Sequence, residues 1–482
     1  MNVLIAGPTS YVGRRLLLRL QQENRIGLRV LTRDARRIRQ DLRPQTEVVE
    51  GDPYDRTVLR QAVRGIDVAY YPIQFVSLER GFAVRSREFA HNFRDSCIEA
   101  GVNRIIHLGL PGAQAFHDSS SRTQPIILLL DNSEILNACP ERIQTISLYP
   151  GIIIGPGSVF YEMTIHLVKK LPVLFLPRWT QTEVKVLALS DVVEYLVQAA
   201  SLQVQGNLTI EIGSEQKRAV DLFKLATRIM RRSKVMIPIP VTVPRLSAFL
   251  LTFATPFSYP VSFTIVQLLH PARSRQGYAP PDRAMRYFPD VSPVTCEEAM
   301  EKALAATDAD DVESRWTDSL AGIPFRTSET EMRRARYRDV RRQDYGDMPR
   351  DQIFRSVLSL GGERGWFAFD ILWRMRGFLD KLLGGFGTSL GRRSHTELRI
   401  GDMLDVWRVV DLIENERLLL EAQMEVFGKA WLEFNLQGTT LIQTAYYEPH
   451  GALGTLYWYA MLPFHAFIFP DMAQSIIRRA QG

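Results

Sequence analysis

Cysteine is scarce in this sequence. Cys97, Cys139 and Cys296 are far apart and odd in number. That argues against a disulfide framework and a cysteine-rich metal site, and it fits a reducing compartment. Nowhere do ~20 apolar residues run uninterrupted, the length a membrane-spanning helix needs. The two most apolar stretches are 235–269 and 453–469, and prolines break both (Pro238, Pro240, Pro244, Pro256 and Pro260; Pro463). The first stretch leaves room for a peripheral membrane contact. The chain opens directly on a strand-like run, so no signal peptide is expected and the expected location is cytoplasmic. Zinc-finger spacing and other nucleic-acid signatures are missing, which leaves nucleic acid out of the expected partners. His450 and His465 have no partner at metal-ligand spacing, so no metal is expected. There is no internal repeat and no low-complexity tract.

What is present is an ordinary globular composition. The chain has 482 residues, 46% of them hydrophobic and 23% charged. That length exceeds one ordinary core, so two or three domains are expected. The net charge of +6 allows weak attraction to phosphates or an anionic membrane face.

The most informative stretch is the first 33 residues. Asn2 to Ala6 reads as a buried strand, Gly7-Pro8-Thr9-Ser10-Tyr11-Val12-Gly13 as a tight turn, and Arg14 to Gln22 as a helix with leucines at helical spacing. Leu28 to Thr32 is a second strand that ends on Arg33. Strand, glycine turn, helix and strand make the opening unit of a dinucleotide-binding fold. Helix N-termini point N–H groups at a pyrophosphate. Strands then alternate with helices to about residue 150. Strands are expected at Thr46–Glu50, Asp67–Tyr71, Asn103–Leu108 and Thr145–Tyr149. Helices are expected at Ala35–Asp41, Thr57–Arg64, Gly81–Ala100 and Pro125–Ala138. This alternation predicts a parallel sheet covered on both faces. The strand ends at Gly7, Arg33, Asp52, Pro72 and Gly109 would line one crevice.

From Pro150 to Ala306 the pattern loosens into a smaller substrate lobe. Helices are expected at 159–170, 190–201, 220–231 and 296–306, and short strands at 185–187 and 208–212. The segment 238–271 reads as proline-punctuated helices over the crevice. An acidic, polar stretch from Thr307 to Ser328 reads as a linker. The unit at 329–482 carries an arginine-rich start, a helix or strand near 351–360 and an amphipathic helix at 367–383. Strands follow at 403–411, 417–426, 429–437 and 439–447, then a long apolar helix at 451–480. Antiparallel strands under a terminal helix make an α+β arrangement. Trp366, Phe367, Trp373, Trp407, Trp431, Phe434, Tyr457 and Trp458 either fill its core or enclose an apolar cavity for a small molecule or lipid.

The expected cofactor-binding set is Gly7, Thr9, Ser10, Tyr11, Val12, Gly13, Arg33, Asp52 and Pro72. Ser10 puts a side chain where the backbone would approach the pyrophosphate, and its hydroxyl can donate to a phosphate oxygen. Arg33, with Arg36 and Arg37 nearby, suits the extra phosphate of NADP; otherwise it is one of many surface arginines. NADP(H) is therefore favoured over NAD(H). Asp52 either accepts from the adenine amino group or caps the helix that begins near Asp55. Catalytic residues are not evident. No Tyr-x-x-x-Lys occurs in 125–138, so the lowered tyrosine pKa such a pair provides is missing. His107 and His117 are the candidates to donate a proton, or they are structural.

Val3 to Gly13, Arg33, Gly51-Asp52, Asn103 to Leu108 and Tyr149 to Gly155 resemble an atypical short-chain dehydrogenase/reductase of the NAD(P)H-binding, NmrA-like type. The whole chain resembles the bacterial YbjT-like proteins, which add a START-like (helix-grip) domain of unknown function. Its marks here are Gly361 to Trp366, Gly401 to Val409, Trp431 to Phe434, Leu456 to Tyr459, Pro463 to His465 and Ile468-Phe469. The resemblance implies a Rossmann-type parallel sheet and nicotinamide dinucleotide binding, and no known substrate. Relatives usually have glycine at Ser10, a Ser-Ser pair at Leu108-Gly109 and an arginine within Ile127 to Leu130. The last two departures take polar groups from the nicotinamide side. Three readings follow: an NADPH-dependent reductase of a small apolar or quinone-like carbonyl, a non-catalytic dinucleotide sensor or scaffold, and a lipid- or isoprenoid-binding protein acting through the C-terminal domain.

Overall fold

The computed structural model describes residues 1–71, 82–109, 132–255, 257–269, 282–319, 325–362, 365–366, 392–423 and 427–481. The chain divides into two compact units. One is Met1–Thr255 with Pro260–Gly322; the other is Ile323–Gly482 with Pro256–Tyr259.

In the first unit, β1 (Asn2–Ala6), β2 (Gly27–Thr32), β3 (Glu47–Glu50), β4 (Val68–Tyr71), β5 (Arg104–Leu108) and β6 (Gln144–Pro150) enter one parallel sheet. Apart from the edge strand β3, each is a short, largely apolar run, as a strand buried on both faces must be. Along β1 the side chains alternate: Val3 and Ile5 join the core on one face, Leu4 and Ala6 the core on the other. Helix α1 (Tyr11–Leu20) packs on the first face, and α2 (Arg56–Val63) and α3 (Phe82–Glu99) on the second. The short α4 (Ser133–Leu136) contacts α3.

Several expectations shift. Helix α1 begins at Tyr11 rather than Arg14, because Ser10 caps it. Residues 35–41 form two short 3₁₀ turns, Ala35–Arg37 and Arg39–Asp41, in place of one helix. The first half of the helix expected at 125–138 and all of the amphipathic helix at 367–383 fall outside the described residues. After β7 (Ile152–Ile154), α5 (Val159–Lys170), β8 (Val173–Leu176), β9 (Glu183–Ala188) and α6 (Leu189–Ala199), the strand β10 (Leu208–Ile212) returns to the main sheet. It pairs in parallel with β6, so it is not a strand of the lobe. The seven-stranded order is β10-β6-β5-β4-β1-β2-β3, which places the order reversal between β1 and β4. The lobe holds β11 (Glu215–Arg218) on β9, which pairs in turn with β7, and β12 (Val235–Pro238) parallel to β8. Helices α7 (Ala219–Ile229), α8 (Pro244–Ala254), α9 (Tyr259–Leu268), α10 (Asp282–Tyr287) and α11 (Cys296–Asp308) follow. Pro244 opens α8 at its first turn, where a missing N–H does no harm.

Residues 312–319 are not a linker. Ser314 is fully buried, and Trp316 and Thr317 are nearly so. Arg315 forms a two-pronged pair with Glu162 at 2.6 and 2.5 Å, and the Trp316 N–H donates to the Gly157 carbonyl at 2.8 Å. These bonds fix the stretch to the first unit.

The second unit has α12 (Phe325–Arg333), β13 (Tyr337–Asp344), α13 (Arg350–Leu358), β14 (Met403–Leu404), β15 (Trp407–Ile413), β16 (Arg417–Ala422), β17 (Gly428–Gln437), β18 (Thr440–Pro449) and α14 (Gly451–Ala480). Its six-stranded antiparallel sheet runs β13-β18-β17-β16-β15-β14, and α14 lies against it in a helix-grip arrangement. Helix α14 is long and apolar enough to cross a bilayer. Its C-terminal half is instead built into the core of this unit through Ile468, Phe469, Met472 and Ile476. Trp366, Trp407 and Phe434 pack in that core, and Trp431 packs in a smaller cluster.

Candidate functional site

The glycine turn stands at the C-terminal end of β1, beside the order reversal in the sheet. Such a point leaves a crevice above the strand ends, where ligands of open α/β sheets bind. Two glycines shape the turn. Gly7 has φ +89°, a conformation that favours glycine. A Cβ on Gly13 would lie 2.3 Å from the Gly7 carbonyl oxygen, so only glycine lets the helix close on the turn.

Ser10 completes the turn from inside. Its hydroxyl donates to the Gly7 carbonyl at 2.9 Å and accepts from the Gly13 N–H at 3.1 Å. The single hydroxyl proton is thus committed to Gly7, and the expected donation to a phosphate oxygen does not fit. The next amides belong to Tyr11 and Val12. The Tyr11 N–H donates to the Ser319 hydroxyl at 3.1 Å. The Val12 N–H has no partner among the described residues. The Tyr11 ring is buried, its hydroxyl donates to the Pro156 carbonyl at 3.2 Å, and burial holds its pKa far above the usual tyrosine value. Tyr11 is therefore a packing residue whose backbone faces the site.

The edge after β2 is cationic and tightly organised. Arg14 is buried, pairs with Asp41 at 3.1 Å and donates to the Arg37 carbonyl at 2.6 Å. Gln21 holds the same loop through Arg43, Thr46 and the Asp41 carbonyl. Arg36, expected to assist with a phosphate, is clamped on buried Asp34 at 2.8 Å. Arg37 reaches the turn, donating to the Thr9 hydroxyl at 3.3 Å and to the Asp318 carbonyl at 3.5 Å. Arg33 follows β2 directly. Asp52 is exposed and accepts from the Tyr54 N–H at 3.0 Å, while Asp55 caps α2 through Thr57. Asp52 is thus not the helix cap, because the chain makes one more turn before α2 begins. Pro72 and His117 lie outside the described residues, as do Ile127 to Leu130.

At the ends of β4, β5 and β6 the structure sets His107, a proton-donor candidate from the sequence, among polar residues that no motif announced. His107 is buried between the rings of Tyr71 and Tyr149, at centroid distances of 5.8 and 6.4 Å. Asn132 donates to the Tyr71 hydroxyl and to the Ser86 hydroxyl, both at 3.0 Å. Gly109 passes so close to Tyr149 that a Cβ there would meet its ring at 2.5 Å. The end of the crevice is thus walled by aromatic rings with hydroxyl and amide groups behind them.

The segment expected as a linker was the other omission. Besides Ser319, it brings Ser314, whose hydroxyl donates to the Tyr11 carbonyl at 2.8 Å, and Glu313, which pairs with Arg15 at 3.0 Å. Both ends of the first residue of α1 are therefore held by residues some three hundred positions away. Among the described residues no group of three His, Cys, Asp or Glu could hold a metal ion.

Residues 7–128 match the family model described as NAD(P)H-binding, and residues 332–472 match the one described as protein of unknown function (DUF2867). No curated protein matches the chain. Among solved structures, gox2253 is similar with 17% identity and a TM-score of 0.48, over 64% of this chain and 98% of that one. A UDP-glucuronic acid 4-epimerase from Bacillus cereus, solved with UDP-glucuronic acid and NAD, has 15% identity and a TM-score of 0.47, over 64% and 99%. A UDP-glucose 4-epimerase from Thermotoga maritima, solved with UDP-glucose, also has 15% identity and a TM-score of 0.47, over 64% and 99%. At these scores the likenesses say nothing of the substrate. The chain thus carries a match to an NAD(P)H-binding domain in its N-terminal part and a match to the DUF2867 family in its C-terminal part.

Proposed function

We propose that the first unit binds a nicotinamide dinucleotide, NADP(H) in preference to NAD(H), as an oxidoreductase-like domain. The observation that carries this is the glycine turn and the start of α1 standing at the order reversal between β1 and β4. The Tyr11 and Val12 amides would face the pyrophosphate, and the helix dipole would favour its charge. Arg33 and Arg37 would hold the 2′-phosphate, which a carboxylate after β2 would repel. When bound, the cofactor supplies hydride. The crevice end at Tyr71, Tyr149 and His107 offers apolar ring faces and excludes bulk water, which suits a small apolar or quinone-like carbonyl. His107 or water would supply the proton.

A second reading has its own observation. Ser319 occupies the Tyr11 amide, and Arg37 ties Thr9 to Asp318. A phosphate on that amide would displace the end of the 312–319 segment, the chain's lead into its second unit. That is how a non-catalytic dinucleotide sensor would work.

Calorimetric titration with NADPH and NADH tests both readings. Arg33→Asp should weaken NADPH far more than NADH; equal losses would refute the 2′-phosphate role. Oxidation of NADPH by a panel of quinones and carbonyls favours the reductase, and binding without turnover favours the sensor.

A further inference from the structure

Residues 222–281 contain no aspartate or glutamate, and neither do residues 163–182. The two stretches meet in the structure, because β8 and β12 pair in parallel with Phe175 opposite Ile237. Strand β8 and helix α8, with the end of α5 and Phe223 of α7, enclose a cavity of about 520 Å³. Its wall is largely aliphatic and aromatic. Two polar atoms in that wall have no hydrogen-bond partner among the described residues: the Trp179 Nε1 and the Ser247 Oγ. Both residues are deeply buried, at 6% and 2% exposure. A buried N–H without an acceptor is costly, so it marks a place for an oxygen acceptor.

The outside of the cavity is equally unusual. Phe175, Ile237, Phe249, Leu250 and Phe253 are each between 41% and 60% exposed. Phe249 and Phe253 meet edge to face at 4.6 Å. Phe175, Leu250 and Phe253 also line the cavity, so its mouth opens within the apolar face. Around that face Lys169, Lys170, Arg178, Arg231, Arg232 and Arg245 are exposed. None of these six forms an ion pair among the described residues.

An exposed apolar face in a soluble unit needs an occupant. A second copy of the same face would bring these cations against one another with no carboxylate to offset them. An anionic lipid surface satisfies both features at once, since it attracts the cations and receives the rings. We propose that this face docks on an anionic bilayer, and that the cavity behind it takes an apolar lipid-phase molecule with an oxygen acceptor at the Trp179 N–H.

The test is flotation of the full chain with vesicles of phosphatidylcholine alone, or of phosphatidylcholine and phosphatidylglycerol in equal parts. The chain should float with the second and not with the first. Neutralising Lys169 and Lys170 to Gln should weaken binding about fivefold per charge. Phe249→Asp with Phe253→Asp should abolish it while the melting temperature holds, because both side chains are already exposed. Brominated phosphatidylglycerol should quench tryptophan fluorescence, and Trp179→Phe should lose part of that quenching while still floating. No flotation at low salt, flotation unaffected by the Phe249/Phe253 double variant, or a dimer in solution that this variant dissociates would each overturn the proposal.

Discussion

Ser319 gives the sharpest test of how the cofactor cradle works. Its hydroxyl accepts from the Tyr11 N–H at 3.1 Å, the first amide of α1, which a pyrophosphate oxygen would take. A dinucleotide using that amide must first break this bond. A neutral hydrogen bond contributes about 0.5–1.5 kcal/mol net. Ser319→Ala removes the competitor from the free protein and nothing from the complex. NADPH affinity should therefore rise, by about fivefold for ~1 kcal/mol. Ser319→Asp should do the reverse. It sets a carboxylate at the helix N-terminus, where anions are favoured, and NADPH binding should fall by tenfold or more. The assay is calorimetric titration of each variant at fixed salt, with melting temperatures of the free proteins recorded alongside. The free Ser319→Ala protein should melt slightly lower, having lost the bond. If Ser319→Ala binds NADPH no better than the parent, Ser319 does not compete with a phosphate and the Tyr11 amide is not part of the cradle.

Further consequences follow from the same geometry. Gly13→Ala should destabilise the first unit by about 2 kcal/mol, a typical cost of overpacking, because the new Cβ meets a backbone carbonyl at 2.3 Å; the urea midpoint of this unit reads it, and an unchanged midpoint would show that the turn can open. In the second unit, Arg417 pairs with Glu329, Asp411 and Glu433 at 2.9, 2.9 and 2.6 Å. Arg417→Met should cost on the order of 3 kcal/mol, the low end for breaking a buried pair, since Asp411 and Glu433 then lose the Arg417 charge and Glu329 is left with Arg333; denaturant unfolding of the full chain checks it. Burial pushes the Glu329 carboxyl up, but hydrogen bonds from Arg417 and Arg333 outweigh it and hold its pKa below the usual glutamate value. The stabilisation is therefore complete above the unfolded glutamate pKa of about 4.3 and is lost as pH falls through the lower folded value. The urea midpoint of the second unit should drop on acidification through that window, and drop less in Glu329→Gln.

The sheet was legible because its strands are buried on both faces and read as short apolar runs between turn signals. Strand β10 was assigned to the wrong layer for a physical reason. It lies at the sheet edge, and its run Leu208-Thr209-Ile210-Glu211-Ile212 alternates like any half-exposed strand. The glycine turn was legible in position but not in its bonding. Nothing in the sequence says that the Ser10 proton goes to Gly7. Residues 312–319 misled most, because a polar surface segment has the composition of a linker whether or not it is fixed. What fixes it is a set of long-range contacts, among them Ser314 to Tyr11, Arg315 to Glu162 and Trp316 to Gly157, and local pattern carries no trace of them. The polar residues behind the crevice, Ser86 and Asn132, meet only when α3 and the chain before α4 come together.

The central claim is that the first unit holds a nicotinamide dinucleotide at the turn between β1 and α1. Native mass spectrometry of the freshly purified full chain, before and after adding NADPH, measures that directly. The account predicts one dinucleotide per chain, retained more strongly as NADP(H) than as NAD(H), and lost in a Gly13→Val variant that is otherwise folded in its second unit. A chain that carries no dinucleotide and takes up none when NADPH is added in excess would contradict it.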